Sequence, residues 1–264
     1  MHAATTGFSR DYEVQRYTEP RNILRSEIIY GEGFQSPGGL AGFQDTLGDR
    51  MALAPGMRLL DIGSGLGGAA FYLSDRYDVE VVGLDTAPRM TELSVIRQTT
   101  RDPRRRVRFV NGDVHDAQLD PGSFDLIYSR DVLMYEHAKP ALFARCHALL
   151  KPGGRLLVTD FCRHRSSAEF DDYMAVSGYD LKSIDDYARL IAEAGFARVE
   201  QHDLSALAQA QLTDDLRRYR ARQASGDPAI DEADAGHIVE RWQRKIRFMK
   251  AGWLTQGLFM ADKA

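Results

Sequence analysis

Cysteine is nearly missing from this 264-residue sequence: Cys146 and Cys162 are the whole complement. Two thiols make no disulfide framework, so a reducing, cytosolic setting is expected. Long hydrophobic runs are missing too. No apolar stretch approaches the roughly 18 residues of a membrane-spanning helix. The opening MHAATTGFSRDYEV has no apolar segment, so no secretory leader is expected. Neither sign of charge dominates. With 34 Lys and Arg against 38 Asp and Glu, the formal net charge is −4, which argues against a general nucleic-acid footprint. Internal repeats and low-complexity tracts are also absent. What remains is an ordinary globular composition, long enough to bury a core without disulfides or metals.

Short apolar runs alternate with helical patterns. RLLDIG (58–63), VEVVGLD (79–85), RVRFVNGD (106–113), FDLIYSRD (124–131) and RLLVTDFC (155–162) read as strands. Helices are expected over 69–77, from Pro88 through MTELSVIRQT, and over 138–150. The last should end at KPGG, with Gly153 in the positive φ of a helix C-terminus. A further helix over 183–196 opens on the N-cap Ser183, with Asp186 three residues on. This alternation predicts an α/β fold, a mostly parallel sheet with helices on both faces. ARVEQHDL (197–204) adds a sixth strand, 205–250 is charged and helical, and QGLFMADK (256–263) returns to strand. A single domain is expected: a cap over 1–40, a core over 41–204, a helical insertion over 205–250 lying on the sheet, and the last strand within 251–264.

The decisive local feature is DIGSGLGG at 61–68, between the first strand and the first helix. Glycines there let the backbone turn tightly and approach a ligand at a helix N-terminus. The spacing of Gly63, Gly65, Gly67 and Gly68 fits both a nucleoside loop and a dinucleotide loop. Asp85 ends the second strand, where a carboxylate can accept from both ribose hydroxyls of either cofactor. Three features separate the two. Asp61 inside the loop would repel a pyrophosphate and welcome an amino group. Gly112 and Asp113 end the third strand, where a carboxylate can accept from an adenine amino group. LKPGG precedes the fifth strand. In this order the features resemble the class I S-adenosylmethionine-dependent methyltransferases. The resemblance implies their Rossmann-like sheet with an antiparallel last strand, and S-adenosyl-L-methionine as cofactor. Cofactor contacts are expected from Asp61, Gly63, Gly65, Asp85, Thr86, Asp113 and Val114.

RYTEP (16–20), IIYGEGFQSPGG (28–39), FDLIYSRDVLM (124–134), VTDFC (158–162) and WQRKI (242–246) extend the likeness. Together they resemble the phosphoethanolamine N-methyltransferases over nearly the whole chain. That resemblance implies a cap closing over the cofactor, with Gln35 and Ser36 near its methionine moiety. It puts Arg130 near the cofactor, Asp131 facing the substrate nitrogen, and Tyr17 at the catalytic centre. Tyr173, Tyr179 and Arg247 fall where the family binds substrate. The chain departs from the family at three places. Tyr135 stands at the family's catalytic histidine, Phe161 at a phosphate-holding tyrosine, and Ser177 at a phosphate-binding arginine. The last two predict a pocket with too little positive charge for a phosphate.

The function expected is methyl transfer to the nitrogen or sulfur of a small polar metabolite. A phosphobase N-methyltransferase, a methionine S-methyltransferase-like enzyme and a non-catalytic cofactor binder are the alternatives. No metal, nucleic acid or membrane is expected to take part, and the chain should act as a monomer or homodimer. Asp131 and Tyr135, four apart, should share one helix face. Asp131 supplies charge and the tyrosines position the acceptor, since a phenol pKa near ~10 makes a poor base. Trp242 and Phe248 read as core. His164 and Arg165, after the fifth strand, lie where substrate could touch them.

Overall fold

The computed structural model of the protein describes residues 18–101, 106–230 and 232–264. Among them seven strands form one sheet: β1 (Arg58–Ile62), β2 (Glu80–Asp85), β3 (Val107–Asn111), β4 (Phe124–Arg130), β5 (Leu150–Arg163), β6 (Ala197–Asp203) and β7 (Leu254–Asp262). Their order is β3-β2-β1-β4-β5-β7-β6. Only β7 runs antiparallel to its neighbours. The helices, in chain order, are α1 (Pro20–Tyr30), α2 (Gly39–Thr46), α3 (Gly68–Tyr77), α4 (Pro88–Thr99), α5 (Lys139–Leu149), α6 (Ala168–Ser177), α7 (Ile184–Glu193), α8 (Ser205–Ala224) and α9 (Glu232–Lys250).

The central strands are nearly continuous apolar runs because helices cover both faces. On one face Phe143 and Cys146 of α5 and Tyr187 of α7 pack on Leu60, Val82 and Ile127. On the other, Phe43 of α2 and Phe71 of α3 pack on Leu59, Val81 and Tyr128. A third cluster joins α8 and α9 to α6 and Phe161 of β5, so the apolar stripes of the insertion are buried against the sheet's upper end. Trp242 and Phe248 belong to this cluster, as expected for core residues. Connections leave β1 toward β2 on one side while β4 lies on the other, which opens a crevice at the carboxyl ends of β1 and β4. No helix of the described residues is long and apolar enough to cross a membrane.

Ser183 caps α7 as its sequence predicts, its Oγ accepting from the Asp186 N–H at 3.0 Å. Two local expectations are corrected and one helix is added. First, α5 stops at Leu149, and KPGG opens β5 instead of ending the helix. Gly153 does take φ +75°, but there it lets its N–H reach the Lys263 carbonyl at 2.9 Å. Second, Asp131 to Tyr135 do not form an α-helix. Asp131 sits at φ +57° and a single 3₁₀ turn spans Leu133–Tyr135. Third, α6 has no counterpart in the sequence reading. AEFDDYMAVS shows little face preference because its apolar residues meet several elements; the cap Ser167, accepting from Phe170 N–H, was its one signal.

Candidate active site

The site grows from the glycine loop after β1. Gly63 and Ser64 donate to the Leu84 carbonyl at 2.8 and 3.1 Å, and Gly65 N–H donates to Asp85 Oδ2 at 2.8 Å. The other Asp85 oxygen accepts from Ala87 N–H at 2.9 Å, so this carboxylate ties the loop to the end of β2. Gly63 has φ +79°, and a Cβ there would lie 2.5 Å from Val132 Cγ1. Only glycine fits where the loop meets the segment after β4.

Asp61 lies beneath this loop, 4% exposed. Burial pushes its carboxyl up to about 7; the Tyr128 phenol opposes that shift and nearby Asp85 adds to it. A buried carboxylate without a cation resists ionisation, and an ammonium group brought beside it would reverse that. Burial also raises Asp85.

A cavity of about 690 Å³ opens over the loop. This lies within the roughly 300–1,000 Å³ of small-molecule sites. Asp61, Gly63, Gly65, Asp85 and Thr86 line one side. Gln35 and Ser36 from the cap, with Arg130, Asp131, Tyr135 and Tyr179, line the other. The cap loop is fastened at three points. Gly33 accepts from Gly68 N–H at 3.2 Å, Gly38 N–H donates to Asp215 of α8 at 2.9 Å, and Arg130 donates to the carbonyls of Pro37 and Gly39. Arg130 borders the cavity as expected, but its guanidinium holds the cap.

A second chamber of about 90 Å³ lies beside the first, sharing Gln35, Ser36, Asp131 and Tyr179 with it. Arg25 of α1 and Arg241 and Lys245 of α9 line it. Lys245 Nζ rests 4.3 Å from the Phe161 ring centroid and 5.8 Å from that of Tyr179. The expectation of a pocket poor in positive charge is thereby corrected: α1 and α9 bring three cations that no single sequence segment displays. Tyr30, whose hydroxyl accepts from Trp242 Nε1–H at 3.0 Å, closes the wall.

Other expected site residues lie outside the cavity linings. Arg247 lines neither cavity; it pairs with Glu169 at the surface, both side chains more than half exposed. On α9 the cavity face carries Ile238, Arg241, Trp242 and Lys245, at helical spacing, and position 247 falls off it. That spacing was the signal available for Arg241 and Lys245. Tyr173 lines neither cavity and packs among Phe170, Tyr179 and Phe248. Asp113 spends its Oδ1 on His115 N–H at 2.9 Å, and Val114 is core, so neither lines the larger cavity. A short acid after Gly112 satisfies its own turn. His164 and Arg165 are exposed and line neither cavity. Tyr17 lies outside the described residues.

Residues 60–158 match the family described as a methyltransferase domain. The chain is 34% identical over 259 residues to phosphoethanolamine N-methyltransferase 1 of Arabidopsis thaliana, covering 97% of this chain and 52% of the plant protein. It therefore spans about half the length of the plant relatives it matches. It is 29% identical to phosphoethanolamine N-methyltransferase of Plasmodium falciparum, covering 95% of this chain and 94% of that one. Among solved structures it superposes on phosphoethanolamine N-methyltransferase 2 of Haemonchus contortus, in complex with phosphomonomethylethanolamine and S-adenosylhomocysteine. The TM-score is 0.89 at 26% identity, over 97% of this chain and 60% of that one. The strand order with an antiparallel β7, the acidic glycine loop and these comparisons agree: the chain has the class I methyltransferase fold, residues 60–158 match a methyltransferase domain, and nearly its whole length is similar to the phosphoethanolamine N-methyltransferases.

Proposed function

We propose that this protein transfers a methyl group from S-adenosylmethionine to the amine nitrogen of a small phosphobase such as phosphoethanolamine. The observation that carries the reading is the smaller chamber, with Arg25, Arg241 and Lys245 around it and Asp131 at its junction with the larger cavity. Three cations suit a phosphate dianion better than a monoanionic carboxylate. The relatives named above support the same acceptor class.

Asp61 would hold the cofactor's ammonium, Asp85 its ribose hydroxyls, and Gln35 and Ser36 its methionine end. When bound, S-adenosylmethionine supplies an electrophilic methyl on a sulfonium that departs as a thioether. The residues of the second chamber do the rest. Arg25, Arg241 and Lys245 anchor the phosphate and so fix how far the amine reaches. Asp131 draws the ammonium to the junction of the chambers. Its carboxyl is pushed up by burial, against the pull of Arg130, so Oδ2 is suited to take the proton the amine must lose. Tyr135 and Tyr179, edge to face at 5.1 Å, give the cationic head an aromatic wall. Holding both reactants at attack distance supplies most of the acceleration. The buried thiols of Cys146 and Cys162 support a cytosolic setting.

The test is incubation of purified protein with methyl-labelled cofactor and, separately, phosphoethanolamine, ethanolamine and methionine. Label transfer to phosphoethanolamine is expected. Turnover of methionine or ethanolamine with phosphoethanolamine left untouched would overturn the reading.

A further inference from the structure

Asp131 is held in an unusual way. It is 7% exposed and adopts φ +57°, a conformation that few residues other than glycine, Asn and Asp take. Its N–H donates to the Thr159 carbonyl at 2.8 Å, and Thr159 Oγ1 lies 3.5 Å from Oδ1. The strong side-chain bond comes from elsewhere: Gln256 Nε2 donates to Oδ1 at 2.7 Å. Asp131 Oδ2 is buried and finds no hydrogen-bond donor among the described residues; Arg130 Nε stands at 4.0 Å.

Gln256 lies on β7, opposite Phe161 of β5, and is 2% exposed. Its backbone is fixed on both sides: N–H donates to Ser205 Oγ at 3.1 Å, and the carbonyl accepts from Leu204 N–H at 2.8 Å. Its Oε1 is buried without a donor among the described residues. Burying an amide half satisfied is costly, and its strand neighbours Leu254, Leu258 and Phe259 are buried apolar residues. Among the described residues, the amide's one bond is to the carboxylate at the junction of the two chambers.

We propose that Gln256 is a positioning residue for the acceptor site: its amide locks Asp131 Oδ1, leaving Oδ2 as the oxygen that receives the acceptor's ammonium. The role rests on the reading of Asp131 as the group facing the acceptor nitrogen. It also links the start of the helical insertion, through Ser205 and Leu204, to the reacting end of the pocket. A donor on Oδ1 favours the ionised form. The charged groups acting on Asp131 are Arg130 on β4, Lys245 on α9 and Asp160 on β5, and none is altered by changing Gln256.

The experiment compares wild type with Gln256→Met, which keeps volume and removes the donor, and with Gln256→Glu, which keeps shape and sets a second acid against Asp131. Carbon-13 NMR of aspartate-labelled protein loaded with S-adenosylhomocysteine follows the Asp131 carboxyl against pH, with Asp131→Asn assigning its signal. Asp131 should titrate about one pH unit higher in Gln256→Met, and higher still in Gln256→Glu. The KM for phosphoethanolamine should rise about tenfold, while affinity for S-adenosylhomocysteine stays within about twofold. Titration of Asp131 at the wild-type pH in both variants would overturn the proposal. That readout needs no acceptor, so a wild type inactive on phosphoethanolamine would refute the substrate and leave the Gln256 comparison decisive.

Discussion

Cofactor affinity should depend on pH through Asp61, and the size follows from its burial. In the free protein this carboxyl is pushed up to about 7. If the cofactor's ammonium pairs only with the ionised carboxylate, binding must displace the proton whenever one is present. At pH 8 about nine-tenths of the protein is ionised at Asp61, and at pH 5 about one-hundredth. Affinity should therefore weaken about a hundredfold between pH 8 and pH 5, roughly 2.7 kcal/mol at 1.36 kcal/mol per unit. Binding lowers a raised pKa, so affinity is full above about 7 and falls as pH drops below it. Isothermal titration calorimetry with S-adenosylhomocysteine measures this directly. Repeating it in buffers of different ionisation enthalpy counts the released proton. Asp61→Asn should bind more weakly at pH 8 and lose most of the slope, which separates Asp61 from Asp85 and Asp131 in the same cavity. A wild-type affinity that changes less than about threefold over this range would refute the pairing.

Gly63→Ala should lower cofactor affinity and thermal stability together, by about 2–4 kcal/mol in stability. The methyl group meets Val132 and φ +79° is unfavourable for alanine, and a melting curve reads the loss. Lys245→Ala and Arg241→Ala should each raise the KM for phosphoethanolamine about tenfold or more with cofactor binding intact, whereas Arg247→Ala should change neither, since its exposed ion pair with Glu169 is worth about 1 kcal/mol at most. Equal effects at 245 and 247 in steady-state kinetics would contradict the assignment. The buried acid Asp160, raised to about 8 by burial, accepts from Tyr187 and from Phe161 N–H. A carboxyl with a raised folded pKa favours the fold fully below its unfolded value near 4, and that contribution is lost as pH rises through about 8. Urea unfolding should thus show declining stability from pH 6 to pH 9, with a shallower decline in Asp160→Asn.

The strands were legible because parallel strands covered on both faces leave unbroken apolar runs, and the cofactor side was legible because its chemistry sits in one contiguous loop. DIGSGLGG and Asp85 lie within one β–α–β unit, so order along the chain is also order in space. Asp113 is less distinctive: an acid after a glycine satisfies a local turn as readily as a ligand, and its Oδ1 accepts from His115 N–H. The proposed acceptor side draws on distant segments. Arg25 comes from α1, Phe161 from β5, Arg241 and Lys245 from α9, and a likeness read position by position put the cation at 247, two residues away from the one that faces inward.

Sequence alone determined the alternation of elements and the acidic glycine loop with Asp85 beside it, because hydrophobic period and a glycine loop are local properties of the chain. Tertiary structure decided the rest. Ser177 and Phe161 carry no charge, and only the packing of α1 and α9 over the sheet reveals that three cations line the chamber. Likewise the bond from Gln256 to Asp131 joins residues 125 positions apart, through a β7 that inserts between β5 and β6. Charge in a pocket is set by which helix faces converge on it, and no pattern along the chain specifies that convergence.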